Sequence, residues 1–390
     1  MRFPIIHIVK HEVVRLIHFP SSRNLLLFVP IITFFFLSFI YVSGGLRDVP
    51  VAIIDHDQTQ LSRLVSRYVD ASPLLKVVKQ PDSRLSAKEI MDNEDAYAVI
   101  VIPKDFQKNV IIGKSTPLPA YVNASSIIHG NLVYSALSKV AVTISTGALL
   151  QRFKEQGKHY EQAMAMALPI KVHIKPLYNP WYNYLYYLIP GLTTVLLFMV
   201  VFFVAARSIN HECNSGGMPT LLQMSNNSIF NIIIGKAIGI YLLSMSLYML
   251  IIGIIFPVFG IPVFGSFWLI TLLFSVTIFA NIFLALGVSA ILTDEVIAMD
   301  ISFFYNSPAF VFSGFTFPIF GMPAFNSFYA HLIPYTYFLK GFLKLYQMNT
   351  PFRYAIPEFQ SLLLFCLVGF VMAYTALYVH LNKLKSCKLS

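Results

Sequence analysis

YLYYLIPGLTTVLLFMVVFFVAA, residues Tyr184–Ala206, contains no Asp, Glu, Lys, Arg or His. Crossing the hydrocarbon core of a bilayer as a helix takes about 20 mostly apolar residues, and this stretch supplies them. Comparable stretches lie at Leu25–Val42, Ile229–Phe256, Ser266–Leu292, Ile301–Phe317 and Phe359–Val379. Lys236, near the inner end of the third, is the one charge in any of them. The spacing predicts six transmembrane helices. The fifth is short and runs into Pro318-Ile319-Phe320-Gly321-Met322-Pro323, and the apolar stretch after it is interrupted by Pro334. Residues 318–346 therefore read as a re-entrant segment, which is tolerated where protein or water covers the backbone.

Composition agrees. Of 390 residues, 56% are hydrophobic and 12% charged, against about 25% charged in soluble domains. The net charge of +10 comes from scattered basic residues, with no basic run interleaved with aromatics, so nucleic acid is not an expected partner. Cys213, Cys366 and Cys387 are far apart and form no CxxC pair, so neither a metal site nor a disulfide is expected.

Residues 45–180 differ in kind, with charges of both signs and short alternating runs. Val49–Asp55, Leu74–Val78, Ala96–Ile102 and Leu118–Val122 read as strands. Leu61, Leu64, Val65, Tyr68 and Val69 recur at helical spacing, Ser86 and Glu89 have capping-box spacing, and Ile127 to about Met166 reads as mostly helical. The expected fold is a polytopic α-helical membrane protein with six transmembrane helices and an α/β extracytoplasmic domain. Its parts are an N-terminal amphipathic interfacial helix (1–24), a first span (25–44), the α/β domain (45–180), five further spans (181–380) with a cytoplasmic loop at 207–228, and a cytoplasmic tail (381–390).

Orientation follows from basic residues in short loops. With the N-terminus inside, Arg2, Lys10, Arg15, Arg23, Arg207, Lys383, Lys385 and Lys388 are cytoplasmic, against Lys340, Lys344 and Arg353 outside. Both termini are then cytoplasmic. At the N-terminus, His7, His11, Arg15 and His18 form one stripe, with Ile5, Val9, Val13, Leu16 and Ile17 on the other side. This suits a helix in the headgroup plane with a wet polar face.

Energy and catalysis motifs fail. Proton or sodium coupling usually uses ionisable groups within the spans, and these spans are nearly free of them. Gly113-Lys114-Ser115 copies the tail of the phosphate-binding loop, but position 108 is Lys where Gly is needed. His11-Glu12 and His211-Glu212 lack the second His of HExxH, and no GxSxG elbow exists. Asp55 and Asp57 follow a strand, where such residues more often cap the next helix. No catalytic residue is assigned, and any ATPase must be a separate chain.

Three local patterns remain. Arg207–Ser225 (RSINHECNSGGMPTLLQMS) joins the second and third spans, and Gly235-Lys236 follows where the chain enters the third. Leu286–Ala290 closes the fourth span before acidic Asp294, Glu295 and Asp300. Ser307–Pro318 then leads to Met322-Pro323 and Pro334–Phe338. This order resembles the permease subunits of type-2 ABC exporters, in the bacterial branch with a large extracytoplasmic domain after the first helix. Glu212, Gly216, Gly217, Thr220, Leu221, Leu222 and Gln223, with Gly235-Lys236 beyond, match the loop that in this family couples to the ATPase. Gly-Gly-Met-Pro stands where the family has a charged Gly-Thr segment. Ser313, Gly314, Phe317, Pro318, Met322 and Pro323 match its Ser-Gly-x-x-Phe-Pro…Met-Pro signature, and Pro308 precedes it. Val51–Asp55, Leu61-Ser62-Arg63 and Asp70-Ala71-Ser72-Pro73 also look like this branch.

The resemblance implies a permease in the bacterial inner membrane that moves a hydrophobic or amphiphilic molecule outward. It implies no cofactor in this chain, with ATP and Mg on a partner ATPase subunit. It implies a second permease copy or paralogue, membrane lipids, and a periplasmic adaptor with an outer-membrane channel as further partners. Pro219 suits the start of a short helix in the loop. The competing readings are a membrane-anchored receptor acting through residues 45–180 and a membrane enzyme, which would need polar residues converging at one bilayer depth.

Overall fold

A computed structural model describes residues 4–81, 84–172, 174–180, 182–292 and 294–387. Arg2 and Lys388, counted above for orientation, lie outside the described residues. The chain forms two units, Gly45–Lys175 and the remainder on either side of it.

The membrane unit begins with α1 (Pro4–His18) and α2 (Pro20–Ile40). Pro20 sits in the first turn of α2, where its missing N–H costs nothing. A π-helical turn at Asn24–Phe28 interrupts α2.

The α/β unit follows in the order β1 (Val49–Asp55), α3 (Gln60–Asp70), β2 (Leu75–Lys79), α4 (Arg84–Asp92), β3 (Ala98–Ile102), α5 (Phe106–Ile111), β4 (Ala120–Val122), α6 (Ile127–Glu155) and α7 (Tyr160–Ala167). The sheet order is β2-β1-β3-β4. β1 pairs in parallel with β2 and β3, with Val51 opposite Ala98 and Asp55 opposite Ile102, and β4 runs antiparallel to β3. Strand side chains alternate between faces. Val51, Ile53, Ala98 and Ile100 pack with α3, α5 and α6, whereas Ala52, Ile54, Val99 and Val101 pack with α4. Asp55 accepts from the N–H groups of Asp57 and Gln58 and from Ser62 Oγ, and Thr59 caps α3. Asp57 in turn accepts from the N–H groups of Phe106 and Gln107 at the start of α5, so both acids serve as caps and turn-builders.

The membrane unit resumes with α8 (Tyr184–Ala206), α9 (Ser208–Asn214), α10 (Met218–Met224), α11 (Ile229–Val258) and α12 (Phe267–Ile291). It closes with α13 (Glu295–Asn306), α14 (Ala309–Phe312), α15 (Ala324–His331), α16 (Pro334–Phe342) and α17 (Ile356–Cys387). One apolar core holds it together, with α12 packed along α17 and α8.

Among the described residues, six helices are long and apolar enough to cross a membrane. Five sit where hydropathy places them: α2, α8 (continuing into α9), α11, α12 and α17. The sixth is α6, which turns Val133, Ala136, Val140 and Ile144 onto the sheet. This makes the chain a polytopic helical membrane protein with an α/β portion. The expected fifth span, Ile301–Phe317, is divided instead between α13 and α14. Helix α13 ends at Asn306, and Pro308 cannot donate a helical hydrogen bond. Gly314 then adopts φ +92°, a left-handed conformation that ends α14's path. α4 also differs slightly, beginning at Arg84, before the expected start at Ser86.

Candidate functional site

Helix α11 contains Gly235-Lys236-Ala237-Ile238-Gly239. Two glycines four residues apart lie on one helix face and let another backbone come close. Helix α1 fills that notch. A Cβ on Gly235 would sit 2.7 Å from Ile8, and one on Gly239 would sit 2.9 Å from Glu12 Cβ. Ile8, Glu12 and Leu16 form the buried stripe of α1. The expected wet polar face is thus partly turned inward, and Arg15 is only 8% exposed at its side chain.

Lys236, placed between the two glycines, is fully buried and spends its three N–H bonds at this contact. Nζ donates to Glu12 Oε2 (2.8 Å), Glu212 Oε1 (3.1 Å) and the Ser208 carbonyl (3.1 Å). Glu12 also accepts from Ser208 Oγ at 2.7 Å and from Arg15 Nε at 3.1 Å. Two carboxylates thus face two cations, so the buried charge balances. Burial pushes the Glu12 carboxyl up, but Arg15 and then Lys236 outweigh it and hold the group well below the usual carboxylate range. His11, Glu12 and Glu212 offer ligand atoms within 4.8 Å of one another. A metal there would have to displace the Lys236 ammonium, which already bridges both carboxylates.

The loop after α8 is built on this junction. Helix α9 contributes Ser208 and Glu212. Gly216 turns the chain at φ +74°, and Gly217 gives Glu212 room, since a Cβ there would lie 2.4 Å from Oε2. Pro219 is in the first turn of α10, as its position predicts. Met218 and Leu221 point into the core, whereas Pro219, Thr220 and Gln223 are exposed. A second ion pair, Arg207 with Glu295, ties the start of the loop to α13, and Arg207 donates to Ser21 Oγ of α2 at 3.1 Å. Ser289 Oγ accepts from the N–H groups of Ile209 and Asn210. Five elements (α1, α2, α11, α12 and α13) are thereby fastened to one short loop.

The signature residues lie elsewhere in the unit. Ser313 is buried, Pro308 and Gly314 are half-buried, and Phe317, Pro318 and Pro323 are exposed, with Met322 between these extremes. Their neighbour Phe315 makes the main contact. Its ring fills a notch at Gly191 of α8, where a Cβ would lie 2.3 Å away, and stacks on Tyr187 at 4.9 Å. Tyr187 donates to the Phe315 carbonyl at 2.6 Å. Tyr335 of α16 donates to the Gly191 carbonyl at 2.8 Å.

The structure therefore joins Glu212 to Lys236 but presents Thr220 and Gln223 outward. It does not bring the signature residues to the loop. Sequence reasoning missed Glu12 and Ser208 as partners of Lys236, Arg15 as the second cation on Glu12, and Gly191 as the seat of Phe315. The available signals were the GxxxG spacing around Lys236 and Glu12 standing at i+4 from Ile8.

The family described as "ABC-2 family transporter protein" matches residues 21–375. The chain is 22% identical over 328 residues to the probable multidrug ABC transporter permease YbhR of Escherichia coli K12, covering 81% of this chain and 82% of that protein. It is 21% identical over 340 residues to the probable multidrug ABC transporter permease YbhS of the same strain, covering 86% of each.

Proposed function

The chain belongs to the ABC-2 family of transporter proteins, and from that premise we propose that it is the membrane-spanning permease of an ATP-driven exporter. ATP is hydrolysed on a separate subunit. That subunit grips α10 at Thr220 and Gln223, the Lys236 junction passes its motion to α1 and α11, and the Arg207–Glu295 pair passes it to α13. The observation that carries this reading is the loop itself: exposed on one side and fixed by buried charges on the other. A lever needs both.

The cargo is a hydrophobic or amphiphilic molecule leaving the cytoplasm or inner leaflet. Spans with one internal charge and many aromatic side chains suit such a cargo, and the names of YbhR and YbhS, each a probable multidrug ABC transporter permease, support it. The working unit contains two permeases, either two copies or a copy and a paralogue. The Gly45–Lys175 unit lies outside the bacterial inner membrane with both termini inside, where it is available to an adaptor.

The test is co-purification with the ATPase subunit and assay of its activity. Gln223→Arg, at an exposed site, is expected to lower ATPase stimulation about tenfold, a loss of roughly 1.4 kcal/mol at the contact, with thermal stability unchanged. A chain that never associates with an ATP-binding subunit would sink the proposal.

A further inference from the structure

In open α/β sheets, ligands bind beyond the carboxyl ends of the strands where the strand order reverses. With the order β2-β1-β3, that place lies beyond Asp55 and Ile102. An open hollow of about 650 Å³ is there, lined in part by His56, Asp57, Lys104 and Asp105. Its anion position is filled from within. Asp57 accepts from the N–H groups of Phe106 (2.9 Å) and Gln107 (3.0 Å) and from Thr59 Oγ1 (2.6 Å). The expected switch-point site is thus closed to an anion by the chain's own carboxylate.

A different place is open. Two hollows, of about 340 and 560 Å³, lie side by side along the second half of α6. One is walled by α5 and the turn after it, the other by α3 and α5. They share Val110, Ile144, Ala148 and Arg152, and so form one groove. Its size falls in the range of roughly 300–1,000 Å³ typical of small-molecule sites.

The floor is apolar, with Leu61, Leu64, Val110, Ile144 and Leu149 contributing. The edges are basic. Arg67, Lys114 and Arg152 line the groove, against one acid, Glu155. Among the described residues, none of these three side chains makes a hydrogen bond or ion pair. Arg152 has its place through Gly113, which adopts φ +78° and would put a Cβ 2.0 Å from a guanidinium nitrogen. The turn has no side chain where the Arg152 head group lies. Gly147 keeps the groove wide, since a Cβ there would meet nothing within 4 Å.

We propose that this groove binds an acidic amphiphile. Its alkyl chain lies along the Val110–Ile144–Ala148 strip, and its carboxylate or phosphate pairs with Arg152 and its basic neighbours. Arginine suits this role because its fork matches such anions with two parallel hydrogen bonds. The inference goes beyond the transport reading and holds whichever side of the membrane the unit occupies.

The experiment uses the full-length protein in nanodiscs of zwitterionic lipid and a dodecanoic acid bearing a photoreactive diazirine, with the labelled residues mapped by mass spectrometry. Labelling is expected within 107–118 and 141–155, with loss on adding unlabelled dodecanoic acid. Gly147→Leu fills the groove and replaces a mid-helix glycine by a better helix former, so stability holds or rises. Its labelling is expected to fall at least about tenfold, the equivalent of roughly 1.4 kcal/mol of binding. Arg152→Gln is expected to weaken labelling by the acid but not by the matching diazirine alcohol. Unchanged labelling in Gly147→Leu overturns the site, and equal labelling by acid and alcohol in the unsubstituted protein overturns the acidic head group. Competition by phosphatidylglycerol in the disc identifies a bilayer lipid as the source; labelling that phosphatidylglycerol leaves intact while dodecanoate still competes identifies a soluble acid, and either result supports the site.

Discussion

Lys236 decides more than any other residue. It was legible as the one charge inside the expected spans, but its partners were not, because Glu12 lies 224 residues away on a helix whose pattern suits a membrane surface. Breaking a buried ion pair by removing one partner typically costs about 3–5 kcal/mol, since an uncompensated charge stays behind. Lys236→Ala is expected to lower stability by about that much, read as thermal unfolding in detergent. Combining Lys236→Met with Glu12→Gln removes a charge of each sign and is expected to recover part of the loss. The pH dependence follows from Glu12, whose carboxyl is held below its ordinary value of 4.5. A group depressed in the native state contributes stability that is fully present above the unfolded value and is lost as pH falls toward the native one. The stability gap between the unsubstituted protein and Glu12→Gln is therefore expected to stay flat from about pH 8 to about pH 5 and to narrow only below that. A gap that closes between pH 6 and pH 8 would assign the effect to another group.

Between elements, two of the glycine notches bear on the site: Gly235 and Gly239 seat α1, and Gly191 seats Phe315. Notches are hard to read in advance because a glycine names the gap and not the side chain that fills it. The Ser313–Pro318 signature was visible, yet Phe315 inside it makes the contact that the flanking residues only frame. The break in the fifth span had a visible cause in Pro308, but an apolar stretch looks the same whether its backbone is continuous or divided. Gly191→Val is expected to expel the Phe315 ring and detach the segment after α14 from α8. Chain yield should stay near normal while transport falls, measured as dye efflux from cells. Gly239→Leu is expected to lift α1 off α11, exposing a cysteine placed at Ile8 to a water-soluble maleimide.

At the scale of the molecule, the division into a helical unit and an α/β unit was plain from charge and periodicity, because burying a sheet and spanning a bilayer leave different patterns. The one ambiguity, α6, is apolar enough for either use. Its buried stripe belongs to the sheet, and tertiary packing overrides what composition alone suggests. A cysteine placed at exposed Tyr134 of α6 is expected to react with an impermeant reagent added outside cells, and one at Gln223 only after permeabilisation. The reverse pattern would invert the topology. The length of chain between Glu12 and Lys236 also gives assembly a clock. At roughly 5–20 residues per second, a ribosome takes roughly ten to forty-five seconds to make the second partner after the first. Throughout that interval Glu12 is without Lys236, and α1 is expected to rest where an amphipathic helix is comfortable, on the lipid headgroups. The surface-seeking pattern of its sequence then describes a nascent chain, and the buried junction records where that chain finishes. Ribosome-stalled chains ending before residue 236 are expected to keep α1 on the bilayer surface, and longer ones to draw it in.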